Sequence, residues 1–221
     1  MSRGSLTTTS YAVLGLLAIK PWRTYELTRQ MDRSLGRIWP RAVSKLYEEP
    51  KKLVAHGLAE ASEERFGRRR RTVYAITHQG RAALAAWLAE PGAGPVLESE
   101  QLLKVFFSEH GTRDDVLATL AAAGEWARAR SAESAAIGRQ YLEGRGPFPE
   151  RGPQLDLTAR FLTDFYALVG EWARWATAIV ETWPDDGAPA QGDPRITEDI
   201  VRRATEAAGL AGTQGCEVES L

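Results

Sequence analysis

Apolar residues recur at helical spacing from the start of the chain. Tyr11, Leu14, Leu17 and Ala18 fall on one side of a helix, with Thr9 or Ser10 as its cap. Lys20-Pro21-Trp22-Arg23-Thr24 interrupts that pattern, because proline has no backbone donor and restricts the residue before it. Tyr25, Leu27, Met31 and Leu35 then predict a second amphipathic helix, which Gly36 ends. Beyond Ile38-Trp39, Pro40 takes a first-turn position in a third helix whose inward stripe is Val43, Leu46, Tyr47, Leu53 and Val54. After Gly57 the period becomes alternating: Leu58 to Ser62 and Thr72 to Thr77 predict two paired strands, and the gap between them holds Phe66-Gly67 and four arginines, Arg68 to Arg71. Thr77 caps a closing helix through Leu84, Trp87 and Leu88.

The second part of the chain is helical throughout. Leu102, Leu103, Phe106 and Phe107 predict a packed helix over Ser99 to Phe107. Thr112-Arg113-Asp114-Asp115 opens a long helix through Val116, Leu120, Ala123, Ala127, Ile137 and Tyr141, whose small residues permit close helix approach. Gly144 to Pro153 breaks the chain before the next helix, over Leu155 to Trp183. There Phe161, Phe165, Leu168, Trp172, Trp175 and Ile179 alternate at spacings of four and three, the repeat of a helix-helix seam. A second stripe, Leu162, Val169, Ala176, Val180 and Trp183, flanks it, so this helix packs within its own chain and against a second copy. Together with Phe106, the seam residues read either as dimer core or as the lining of a ligand pocket.

Charge divides the chain at Pro91-Gly92-Ala93-Gly94-Pro95. Residues 1–90 carry 16 Lys+Arg against 8 Asp+Glu, and residues 91–221 carry 12 against 21, so the net charge of -1 conceals a basic module and an acidic one. A basic module favours a polyanion, because neutralising phosphates releases counterions. The predicted organisation is mainly α: a winged helix-turn-helix domain with a two-stranded β wing over residues 1–92, a helical dimerisation domain over 97–183, and a mobile tail over 184–221 with a short helix from Thr197 to about Ala208. Helix, short turn, helix is a DNA-reading pair, and the N-terminal part of its second member meets base edges. That selects Arg41, Ser44 and Lys45 for the major groove, with Lys51 further along the same helix. Arg68 to Arg71 form a cationic tip whose mutual repulsion an anion relieves.

Other chemistries find no support. Cys216 is the only cysteine, and His56, His78 and His110 are too far apart in sequence for metal-ligand spacing, so neither a disulfide nor a metal or cofactor is expected. No Gly-rich phosphate loop and no nucleophile with base and orienter occurs, which argues against an enzyme. No long apolar run and no signal-peptide core is present, so the chain reads as cytoplasmic, with no membrane partner.

Ser10-Tyr11-Ala12-Val13-Leu14-Gly15-Leu16-Leu17, Tyr25-Glu26-Leu27, Trp39-Pro40, Leu46-Tyr47, Leu53, Gly57-Leu58, Val73-Tyr74 and Thr77-His78-Gln79-Gly80-Arg81 occur together and in order. In this the sequence resembles the PadR family of bacterial regulators, over about residues 6 to 110. The resemblance implies a homodimeric repressor of promoters, reading an inverted repeat in double-stranded DNA and released by a small hydrophobic or aromatic effector. It also implies supporting DNA contacts from Tyr11 and Tyr25. The alternative is an architectural protein that binds DNA without sequence preference. Pro50 departs from the family pattern: an interior proline costs about 3 kcal/mol and predicts a kink or break of the third helix near Leu46.

Overall fold

The computed structural model describes residues 5–40, 43–66, 69–184 and 191–209, in two compact units divided after Pro95. The N-terminal unit is built around α1 (Thr8–Ile19), which buries Val13, Leu14, Leu16 and Leu17. Its cap is Thr7, not Thr9 or Ser10. Thr7 and Ser10 exchange side-chain and backbone bonds in a capping box, and both Thr9 and Ser10 are buried. α2 (Thr24–Leu35) adds Leu27 and Met31 to the core, and α3 (Val43–Ala55) adds Pro50 and Leu53.

α3 runs unbroken through Pro50, so the expected break near Leu46 does not occur. The proline ring is among the fully buried side chains, and its packing offsets the absent N–H bond. The described part of the helix begins at Val43, and Pro40 itself is not helical. It ends in a Schellman arrangement: Leu58 N–H donates to the Leu53 carbonyl at 2.9 Å and Gly57 N–H to that of Val54 at 2.9 Å. Gly57 sits there at φ +73°, a left-handed conformation that costs a residue without Cβ little.

The sheet has three strands, in the order β1-β3-β2, where the sequence predicted two. β1 (Trp22–Arg23) pairs antiparallel with β3 (Arg69–Ile76), and β3 with β2 (Ala59–Phe66). A two-residue strand carries no readable alternation. It is fixed instead by Trp22, which is buried and donates its indole N–H to the Leu16 carbonyl at 2.8 Å. β2 and β3 also run further than their apolar alternation, so Arg69, Arg70 and Arg71 lie on β3 and not at the tip. In this register Glu64 on β2 stands opposite Arg71, and although Arg65 stands opposite Arg70, Arg70 reaches Glu63 diagonally at 3.1 Å. Opposite charges on neighbouring strands support pairing where apolar residues run out. α4 (His78–Ala89) follows, capped by Thr77, whose hydroxyl accepts from Gly80 N–H at 3.0 Å.

The C-terminal unit is helical. α5 (Glu100–Phe106) is capped by Ser99, and α6 (Arg113–Leu142) opens on the expected capping box of Thr112 and Asp115. α6 packs antiparallel on α7 (Gly152–Val180): Val116 and Leu120 cluster with Ala176 and Val180. Small residues line the approach, Ala123 and Ala127 on one helix and Gly170 and Ala173 on the other. Arg113 Nη1 donates to the Trp183 carbonyl at 3.1 Å and fastens the far end of the pair. Leu102, Leu103, Phe106 and Phe107, expected to be packed, are all exposed in the single chain, and of α5 it is Val105 that meets the core. The tail helix α8 (Pro194–Ala207) starts three residues before the predicted Thr197, because Asp193 caps it and Pro194 suits its first turn. The ion pairs of Arg202 and Arg203 with Asp199, and of Arg202 with Glu206, lie within the helix.

Candidate nucleic-acid interface

The proposed reading helix and the arginine-bearing strand belong to one unit, and α3 packs directly against β2. Helical spacing puts Ser44, Tyr47, Glu48 and Lys51 on one face of α3. Tyr47, expected to point inward, is exposed on that face. With Pro50 and Leu53 filling the core, the inward face of α3 is turned away from residue 47, although Tyr47 lies within the apolar stripe of the sequence. Lys51 is exposed and its ammonium lies 2.9 Å from Glu48 Oε1. That hydrogen bond and the Glu48 charge push the lysine pKa up, so Lys51 stays cationic at neutral pH.

Arg70 and Arg71 are exposed on β3. Arg70 Nη1 stands 3.1 Å from Glu63 Oε2, and Arg23, a cation the sequence did not single out, lies 3.1 Å from Glu64 Oε2 and 3.4 Å from Glu26 Oε1. The arginines are therefore not an uncompensated cluster. Exposed ion pairs are worth about 0–1 kcal/mol, however, so a phosphate can replace the carboxylate at little cost. Tyr25 is 62% exposed, with the Arg29 guanidinium carbon 5.7 Å from its ring centroid. Tyr11 is half-buried and stacks on Trp87 at 5.1 Å and 4°, tying α1 to α4. Arg41 and Arg68 lie outside the described residues, as do the side chains of Ser44, Lys45 and Arg69.

On α7 the buried face includes Tyr166 and Ala173, which belong to neither predicted stripe, while Leu162, Val169 and Trp183 of the second stripe are half-buried. Tyr166, Ala173, Ala176 and Val180 are buried against α6, whereas Phe161, Leu168 and Trp175 are 63%, 61% and 48% exposed. Phe165, Trp172 and Ile179 are half-buried at the boundary, with Phe165 edge-on to Trp126 at 6.3 Å. A shallow cleft of about 470 Å³ lies between α5 and α6, lined by Leu103, Phe107, Val116 and the polar side chains of Lys104 and His110, and not by the α7 aromatics. Among the described residues no helix is long and apolar enough to cross a membrane, and no group of three or more His, Cys, Asp or Glu could hold a metal ion.

Comparison with known proteins bears on the same segments. Residues 13–86 match the family described as "Transcriptional regulator PadR-like family", and residues 98–181 match "Virulence activator alpha C-term". The chain is 35% identical over 82 residues to the probable transcriptional regulator Rv1176c of Mycobacterium tuberculosis, covering 37% of this chain and 43% of that protein. It is 30% identical over 99 residues to the negative transcriptional regulator PadR of Bacillus subtilis, covering 44% and 54%. The matched stretch thus spans about half the length of these two relatives. In fold, the chain is similar to Bacillus subtilis PadR in complex with operator DNA, with TM-score 0.69 and 20% identity over 79% of this chain and 99% of that one. A complex of the same protein with p-coumaric acid gives TM-score 0.63 and 21% identity over the same shares.

Proposed function

We propose, from the membership of residues 13–86 in the PadR-like family of transcriptional regulators, that this chain is a cytoplasmic DNA-binding repressor. It acts as a homodimer, and a small hydrophobic or aromatic effector releases it from an inverted repeat. The observation that carries this reading is a basic unit in which exposed Lys51 and Tyr47 on α3 are followed by a hairpin presenting Arg70 and Arg71. A recognition helix gives base contacts, and a cationic hairpin holds flanking phosphates or the minor groove. Arg41, Ser44 and Lys45 belong to the base-reading end, with Arg68 and Arg69 completing the wing, and Tyr11 and Tyr25 support the contact.

The exposed α7 stripe of Phe161, Leu168 and Trp175 supports the dimer, because so much aromatic surface on one helix face is unfavourable in water. With Phe106 on α5, and with Phe165, Trp172 and Ile179 at its edge, it supplies the interface or effector site. Two copies place their reading helices about one DNA turn, 10 to 10.5 base pairs, apart. An effector lowers affinity by binding better to a dimer whose helices are wrongly spaced. The complexes of Bacillus subtilis PadR with operator DNA and with p-coumaric acid support both halves of this reading by analogy. The test is a footprint on duplexes selected from a random library by the full chain, repeated with hydroxycinnamic acids. A protected palindrome lost on addition of a compound is the expected result, and protection without sequence preference would overturn it.

A further inference from the structure

Three polar side chains meet where α1 crosses α3. The Ser10 hydroxyl is completely buried. It donates to Glu49 Oε2 at 2.6 Å and accepts from the Lys52 ammonium at 3.2 Å and from Thr7 N–H at 3.0 Å. A serine hydroxyl has one donor and two acceptor sites, so all are taken. Lys52 Nζ also lies 3.7 Å from Glu49 Oε1, with side-chain exposures of 22% and 14% for the two residues. This is a shielded network, unlike the open pair of Lys51 and Glu48.

Its placement gives it a further role. Glu49 and Lys52 flank Pro50, the one residue of α3 that has no N–H to give its preceding turn. At that point the half of the helix bearing Ser44 and Lys45 is joined less tightly to the half anchored by Leu53. Both flanking residues are bound to the same oxygen on α1. We propose that Ser10, Glu49 and Lys52 form a brace across Pro50 that sets the angle at which α3 meets the duplex. Ser10 is then a positioning residue for operator discrimination that cannot itself touch DNA. The inference rests on the DNA-reading role of α3 proposed above and adds to it a determinant on a different helix.

The experiment compares the full-length native protein with Ser10→Ala, Glu49→Gln and the double variant. Each binds a duplex enriched from a random library by the native chain, and a scrambled duplex, well below the melting temperature and over a series of salt concentrations. Ser10→Ala is expected to weaken the enriched duplex about tenfold while binding to the scrambled one changes less than about twofold and the salt slope is preserved, because base contacts and not phosphate contacts are lost. The double variant should lose no more discrimination than the worse single variant, as for members of one network. Lowered thermal stability with discrimination within about twofold of native would reduce the cluster to a packing feature and overturn the inference, as would additive losses. Should Ser10→Ala not fold, Glu49→Gln decides alone, since it keeps the side chain's shape and removes the charge shared with Lys52. If the native chain enriches no sequence at all, the reading role of α3 falls and the brace falls with it.

Discussion

Gly80 should be irreplaceable for a reason that can be worked from distances. A Cβ built on it would lie 2.0 Å from the Leu58 carbonyl oxygen and 2.8 Å from Ile76 Cγ1. To reach even a tight contact near 3.0 Å, the first turn of α4 must withdraw by about 1 Å from the start of β2, and interiors yield by such amounts only at a cost. The retreat stretches the bond from Thr77 N–H to the Leu58 carbonyl, 3.1 Å, and that from the Thr77 hydroxyl to the Gly57 carbonyl, 2.8 Å. Two bonds at about 1 kcal/mol each and an overpacking cost of about 1–3 kcal/mol outweigh the gain of about 1 kcal/mol from alanine's helix propensity. Gly80→Ala should therefore destabilise the N-terminal unit by about 2–4 kcal/mol, which lowers its melting temperature by at least about 8 °C. Gly15→Ala is the control: nothing lies within 4 Å of its Cβ, so the propensity gain stands alone and the same transition should rise. Thermal melts followed by tryptophan fluorescence and near-ultraviolet circular dichroism read both. A Gly80→Ala variant melting within about 2 °C of the native protein would mean that α4 is not seated on the Leu58 carbonyl.

Three further outcomes are expected. Replacing Arg70 and Arg71 by alanine should reduce the slope of log affinity for duplex DNA against log salt by about 0.9 per lost phosphate contact, and an unchanged slope in a salt titration removes these residues from the interface. Leu168→Glu with Trp175→Glu on the exposed side of α7 should halve the mass seen by light scattering, whereas Leu157→Glu, exposed but off the heptad positions, should leave it as it was. Asp115 has its pKa lowered by the Thr112 hydroxyl and by the Thr112 N–H. Its contribution is present above the ordinary carboxylate value near pH 4 and is lost as pH falls through the lowered one, so Asp115→Asn should flatten the acid side of a melting-temperature profile.

Much of this architecture was legible along the chain, because period is a strong signal when elements are long. The heptad spacing over Phe161 to Ile179 marks α7, and Thr112 with Asp115 marks the start of α6 to the residue. Local signals failed where tertiary context decides. β1 is too short to show alternation and exists because the Trp22 indole is bonded to α1. The strands continue through the arginines with Glu64 opposite Arg71 and Glu63 reaching Arg70 diagonally, relations visible only once register is known. Pro50 carries a penalty in any propensity scale, yet its ring fills the core. Of the candidate interface, Lys51, Arg70 and Arg71 stand out from charge alone, while Arg23, Tyr47 and the contact of Ser10 with Glu49, 39 positions apart, required the fold.

α8 has consequences for how the protein is handled. Asp193 caps it and also pairs with Arg195, while Asp199, Arg202, Arg203 and Glu206 satisfy one another along its polar side. A fourteen-residue helix sustained in this way is only marginally stable, and its pairs weaken as ionic strength rises. High-salt buffers should therefore open this stretch to proteases while the winged unit and the α6/α7 pair stay intact. A preparation trimmed there would keep both, and a fluorophore attached to α8 would report on its own melting more than on events at the DNA.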